Sequence, residues 1–132
     1  MKKVIKELQE KLGNNKFILA CSTGPDSMAL FNLCLEEKVR NNMIVCHVNH
    51  KVRPESDVEE EYIKDLCDSL GVKIYIKHLE NIPANFEEVA RNKRYEFFKD
   101  IAEKETAKYI LTAHNADDQV ETVIMRLIKS SS

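Results

Sequence analysis

Glycine and proline are scarce in this chain of 132 residues, three of each, and tryptophan is absent. So few breakers exclude a glycine- or proline-rich disordered segment and a collagen-like repeat. No linker, internal repeat or low-complexity tract divides the chain, so one domain over 1–132 is expected. The four cysteines, Cys21, Cys34, Cys46 and Cys67, lack any C-x-x-C spacing, and three fall in apolar periodic segments. They are expected to be reduced core thiols, as in a cytoplasmic protein, rather than a disulfide or metal framework. No run approaches the roughly 20 apolar residues of a membrane span, and MKKVIKELQEKL at the start is an amphipathic helix pattern instead of a secretory signal. Excess positive charge is also missing. A formal net charge of −2 is not that of a free-standing nucleic-acid binder, so any nucleic acid would meet a local patch or residues beyond this chain.

What is present alternates. Short apolar runs at 17–21, 43–49, 72–79 and 109–113 read as buried strands. Between them lie helical patterns. The first spans Asp26 to about Glu37, and the next carries Tyr62, Ile63, Leu66, Cys67 and Leu70 on one face. A third shows Phe86, Val89, Ala90, Phe97, Phe98, Ile101 and Ala102, and a last helix is expected to bury Val120, Val123, Ile124, Leu127 and Ile128. Ser56 with Glu59, and Asn85 with Glu88, have capping-box spacing. Connections too long for hairpins imply crossovers, hence an α/β fold: a doubly wound parallel sheet with helices on both faces, Rossmann-like. Such sheets bind ligands beyond the carboxyl ends of their strands.

The first strand runs into Ser22-Thr23-Gly24-Pro25-Asp26-Ser27 and then into a helix. Free amides at a helix start, two hydroxyls and a favourable dipole make a phosphate cradle. An ordinary capped turn is the plainer alternative. Neither G-x-x-x-x-G-K-[ST] nor G-x-G-x-x-G is present.

This hexapeptide resembles the S-G-G-x-D-S pyrophosphate loop of the N-type ATP pyrophosphatases. Three further blocks are similar, in order and spacing, to signatures of the tRNA(Ile)-lysidine synthetase family. They are His47-Val48-Asn49-His50-Lys51-Val52-Arg53, Asn85 through Arg91 to Arg94-Tyr95, and Thr112-Ala113-His114-Asn115-Ala116-Asp117-Asp118-Gln119-Val120-Glu121-Thr122. The resemblance implies an adenine-nucleotide α-hydrolase-like fold. The implied enzyme uses ATP and Mg2+ to adenylylate the wobble cytidine of an isoleucine tRNA, after which free lysine displaces AMP. On that resemblance Ser22, Thr23, Gly24, Pro25, Asp26 and Ser27 hold the pyrophosphate, with Asp26 also positioning the metal. His47 and Asn49 would border the adenine, although a satisfied core histidine is the alternative for His47. Asp117, Asp118 and Glu121 would hold magnesium or receive lysine's ammonium, and the two roles stay open; acids that only pair with a helix dipole in its first turn are the alternative. Arg94 is a catalytic candidate, and Arg91, Lys51 and Arg53 could reach phosphate; a solvated basic face is the alternative for Arg91, Lys93 and Arg94.

The pattern is broken at two glycine positions, by Thr23 and Lys51. A β-branched residue tolerates positive φ poorly, so the loop is expected to keep a β-like angle at Thr23 or bear strain. Ser130-Ser131-Ser132 stand where the family has a glycine turn and more chain, so an amino-terminal piece of a longer enzyme is expected, with tRNA held mostly elsewhere. A homodimer stays open. A sulfur-transferring tRNA pyrophosphatase, an amidotransferase-type relative and a non-catalytic nucleotide sensor are the rival readings.

Overall fold

The computed structural model describes residues 6, 9–35, 38–51, 54–80, 86–113 and 123–127. Four parallel strands form its centre: β1 (Phe17–Ala20), β2 (Met43–Asn49), β3 (Lys73–His78) and β4 (Tyr109–Ala113). The helices α1 (Pro25–Leu35), α2 (Pro54–Leu70) and α3 (Glu87–Glu105) connect them, with a short 3-10 helix, Lys38–Asn42, before β2. The sheet order is β3-β2-β1-β4-β5, with β5 (Val123–Leu127) at the far edge.

Alternation along the strands divides the core in two. Phe17, Leu19, Met43, Val45 and Leu111 face one side, where α1 adds Leu30, Phe31 and Cys34, and α2 adds Ile63 and Cys67. Ile18, Ile44, Cys46 and Ile110 face the other side, covered by Phe98 and Ala102 of α3. β1 and β2 are apolar on both faces because both faces carry helices. This is the expected doubly wound arrangement. The first two crossovers lie on one side of β1, and β4 lies on the other, so the strand order reverses beside β1.

Several local expectations need correction. Residues 123–127, expected in a last helix with Val120 and Ile128, form β5, antiparallel to β4, with Ala113 opposite Val123 and Tyr109 opposite Leu127. Short apolar runs satisfy either period, and the open β4 edge offers backbone partners that β-branched Val123 and Ile124 suit. Ser56 does not cap α2, which begins two residues earlier with Pro54 in its first turn, a position where a missing amide costs nothing. Phe86, not Asn85, is the N-cap residue of α3, with no side-chain cap bond. Tyr62, Phe86 and Val89, read as core-facing, are exposed.

Helix ends are fixed by specific groups. Gly71 follows α2 with φ +71°, and the Val72 amide returns to the Cys67 carbonyl at 2.9 Å. The Arg40 guanidinium donates to the Leu70 carbonyl at the same end. α3 is tied to β3 by its last residue, Glu105, which accepts from Lys73 Nζ at 3.0 Å and from the Tyr75 hydroxyl. Those bonds, Tyr75 first, hold the Glu105 carboxyl below the usual glutamate range.

Candidate functional site

A cavity of about 430 Å3 opens at the carboxyl ends of β1, β2 and β4. The sequence places it there because β1 stops at Ala20 while β2 continues to Asn49, leaving a step in the sheet. Ala20, Cys21, Ser22 and Ser27 line it from the first strand and its turn, and Cys46 to His50 from the second. Thr112 and Ala113 of β4, Ser56 and Glu59 of α2, and Arg94, Tyr95 and Phe98 of α3 complete the wall. The lining mixes apolar groups, among them Ala20, Val48, Ala113 and Phe98, with polar ones such as Ser22, Ser27 and Arg94, which suits a flat ring joined to charged groups.

Ser22 to Ser27 form the turn into α1. The Ser22 and Ser27 hydroxyls share a hydrogen bond at 2.9 Å, and the Gly24 carbonyl receives the Met28 amide at 2.9 Å, starting the helix. Ser27 is buried, whereas Ser22 is exposed. The intervening amides, at the positive end of an eleven-residue helix, are the groups an anion would meet. Thr23, Gly24, Pro25 and Asp26 stand in the turn and first helical turn without lining the cavity. Thr23 has φ +65°, so the loop takes the strained option, in the region that glycine enters freely. Lys51, the other residue at a family glycine position, has φ +57°.

His47 is buried, and its Nδ1 lies 2.8 Å from the Cys21 carbonyl. A carbonyl only accepts, so Nδ1 carries the proton. That bond replaces a ladder bond. The Cys21 amide donates to the Cys46 carbonyl at 3.0 Å, so the peptide groups of Cys46 face β1. Alternation turns those of Val48 the same way, toward the place that β1 has vacated. With the Cys21 carbonyl engaged by His47, the Val48 amide has no protein partner among the described residues. Val48 also lines the cavity.

Asn49 is 2% exposed, and its amide nitrogen reaches Asp57 at 3.0 Å and Glu60 at 2.9 Å, while its oxygen accepts the Lys51 amide at 2.8 Å. Its side chain is therefore fully engaged in joining β2 to α2. Glu60 also meets His78 Nε2 at 2.6 Å, and Asp57 meets Lys51 Nζ at 2.7 Å. The Lys51 and Asn49 bonds lower the Asp57 carboxyl; for Glu60, burial opposes the larger sum of the Asn49 and His78 bonds, and the net shift is downward.

Arg94 reaches the cavity from α3, 3.5 Å from His50 Nε2. Burial first, then the charge of Arg94, pushes the His50 imidazole below its ordinary value, so a neutral ring accepts from the guanidinium. Arg91 and Lys93 are exposed on the same helix. Thus Ser22, Ser27, His47, Asn49 and Arg94 gather at one cavity, joined by His50, Tyr95, Phe98 and Thr112. Thr112 read as a strand-forming residue with no site role, and its signals were its position at the end of β4 and at the head of the last family-like block. Asp117, Asp118, Glu121, Asn85 and Arg53 lie outside the described residues.

All four cysteines are free and buried. Burial pushes Cys34, Cys46 and Cys67 up to about 12, so none is a ready thiolate. No described helix is long and apolar enough to cross a membrane.

Known proteins are similar to this chain. The tRNA(Ile)-lysidine synthase of Streptococcus gordonii is 38% identical over 132 residues, and that of Streptococcus sanguinis 39% over 133 residues. Each alignment covers 96% of this chain but 31% of the relative, so the chain spans about a third of their length. Among solved structures, the NH3-dependent NAD synthetase of Campylobacter jejuni superposes with a TM-score of 0.67 at 18% identity, covering 87% of this chain and 54% of that one. The U34-tRNA thiolase of Methanococcus maripaludis, solved with its [4Fe-4S] cluster, gives 0.65 at 22% identity, covering 89% and 45%. These two establish the fold. A model of the PP-loop domain matches residues 1–132. With the turn after β1, the step at β2 and that match in agreement over the whole chain, the protein belongs to the family of ATP-binding PP-loop domains.

Proposed function

We propose that this domain binds ATP for a tRNA(Ile)-lysidine synthetase reaction: adenylylation of the wobble cytidine of an isoleucine tRNA, then ligation of lysine with release of AMP. The observation that carries the nucleotide part is the step in the sheet, where a cavity lined by Ala20, Val48, Ala113 and Phe98 meets a helix-start turn bearing Ser22 and Ser27. The relatives' names carry the choice of reaction.

In this reading the base lies in that cavity with its edge on the Val48 backbone, and the β and γ phosphates meet the amides and hydroxyls of Ser22 to Ser27. Attack on the α-phosphate makes pyrophosphate the leaving group, and donors fixed around it stabilise the charge it gains. Arg94, held by neutral His50, supplies positive charge at the opposite wall. Asn49 acts by holding the second strand's end to α2. Mg2+, a hard cation that takes oxygen ligands, fits the carboxylate of Asp26 beside the turn and would neutralise the triphosphate. Asp117, Asp118 and Glu121 are the candidates for lysine or further magnesium binding. tRNA(Ile) would be held largely by parts of a longer protein, in the cytoplasm, and a homodimer is compatible with this.

Calorimetric titration of ATP, with inorganic pyrophosphate as competitor, tests the grip. Pyrophosphate is expected to compete. Asp26→Ala should weaken Mg-ATP binding at least about tenfold with an unchanged melting temperature, since one charged contact is worth on the order of 1.5–3 kcal/mol. Unchanged affinity in Asp26→Ala would remove Asp26 from the site. Pyrophosphate release that depends on tRNA(Ile), with AMP release that depends on lysine as well, separates the enzyme from a sensor, which yields neither. The thiolation reading is disfavoured by four buried thiols held protonated.

A further inference from the structure

One polar atom in the cavity has no partner among the described residues. Thr112 Oγ1 is buried and makes no hydrogen bond to any of them, and Thr112 lines the cavity. An unsatisfied buried hydroxyl costs about 1–3 kcal/mol, so the free protein is less stable for carrying it. A valine of the same shape would avoid that cost.

Its place in the sheet indicates what it meets. Ile110 belongs to the core on the α3 side, and Thr112, two residues on, points to that same side. Thr112 stands opposite Ala20 in the β1–β4 register, and Ala20 and Val48 flank that same core. From the Val48 backbone to Thr112 is two strand spacings sideways and two residues along, roughly 12 Å. In the ATP reading above, a nucleoside with its base edge on Val48 would place its sugar above Ala20, with the sugar hydroxyls within reach of β4. The phosphates then continue to Ser22 and Ser27.

We propose that Thr112 recognises the sugar of the bound nucleotide, its Oγ1 pairing with a ribose hydroxyl of ATP. This rests on the ATP reading above. It assigns Thr112 a role in ribose specificity, and it accounts for a hydroxyl that destabilises the unliganded chain.

The test compares the 132-residue chain with Thr112→Val and Thr112→Ser. Melting is measured without nucleotide, and affinities are measured for ATP, 2′-deoxy-ATP and 3′-deoxy-ATP. Thr112→Val is expected to melt higher and to bind ATP about tenfold more weakly, the equivalent of ~1.4 kcal/mol. The difference between wild type and Thr112→Val should vanish for one deoxy analogue, which already lacks the paired hydroxyl. Thr112→Ser should keep ATP affinity within about twofold. Equal ATP affinity in Thr112→Val, or an equal loss for ATP and both analogues, overturns the proposal. A wild type that binds ATP while Thr112→Val is indifferent defeats this proposal alone; a wild type that binds no ATP defeats the nucleotide reading with it. Thr112→Ala repeats the comparison if the valine variant fails to fold.

Discussion

Thr23, Lys51 and Thr106 each hold a positive φ without being glycine, at 65°, 57° and 61°. Two of the three border the proposed nucleotide site, where strain is tolerated because surrounding bonds over-determine the backbone. A left-handed conformation costs a residue with a Cβ about 1–2 kcal/mol. Thr23→Gly is therefore expected to raise stability by about 1 kcal/mol, read as a higher urea midpoint at unchanged slope, and Thr23→Ala to gain less because it keeps the Cβ. Asn49 presents the opposite case, a side chain with every partner satisfied. Its loss removes a buried tie between β2 and α2 and leaves Asp57 to Lys51 and Glu60 to His78 alone, so Asn49→Ala should cost roughly 1–3 kcal/mol in chemical denaturation. Asn49→Asp should cost more, because it adds a third negative charge to Asp57 and Glu60. From sequence, Asn49 read as an adenine neighbour. Its bonds to Asp57 and Glu60 connect residues eight and eleven positions away, which no local pattern encodes.

At the scale of elements, the strands were the most legible features, and β2 matches its expected range at both ends. Continuous apolar runs bounded by polar residues leave a buried strand few choices of register. Helix starts were less legible. The two capping boxes had the right spacing, yet α2 starts with proline in its first turn and α3 with Phe86 as N-cap, because a cap depends on where the chain turns into the helix. The α2 end is better determined. Gly71 stands at a left-handed position, so Gly71→Ala is expected to lower stability by about 1 kcal/mol in thermal or urea unfolding. β5 shows how an element can be settled by its neighbour: the same residues suited a helix until the β4 edge was available.

For the whole molecule, charge placement controls behaviour more than net charge does. β3 is an edge strand, and its exposed Lys73, Lys77 and His78 discourage pairing with another sheet. Lys73 also meets Glu105, whose carboxyl is lowered in the folded state, as is that of Glu60. A lowered carboxyl contributes stability that is complete above the ordinary glutamate range, near 4.5. As pH falls, the unfolded chain takes up the proton first, and the contribution is lost through the lower folded value. Urea midpoints of the wild type should therefore fall between pH 7 and about pH 3.5, and Glu105→Gln should fall less over that interval. His50, lowered by burial and Arg94, works from the other side: its neutral form is favoured in the fold, so stability declines as pH drops below about 6.5. Replacing His50 with glutamine should flatten that upper part of the profile.

The sequence by itself determined the alternation of strands and helices, the two-sided core and the turn from Ser22 to Ser27, because each follows from short-range periodicity and residue chemistry. Only the tertiary structure decided what those residues face. Strand order put Thr112 beside Ala20, the early end of β1 freed the Val48 amide, and a bond between His47 and Cys21 took the ladder's place there. Those relations join positions 26 to 92 residues apart in the chain, and they exist only once the sheet has brought its strands side by side.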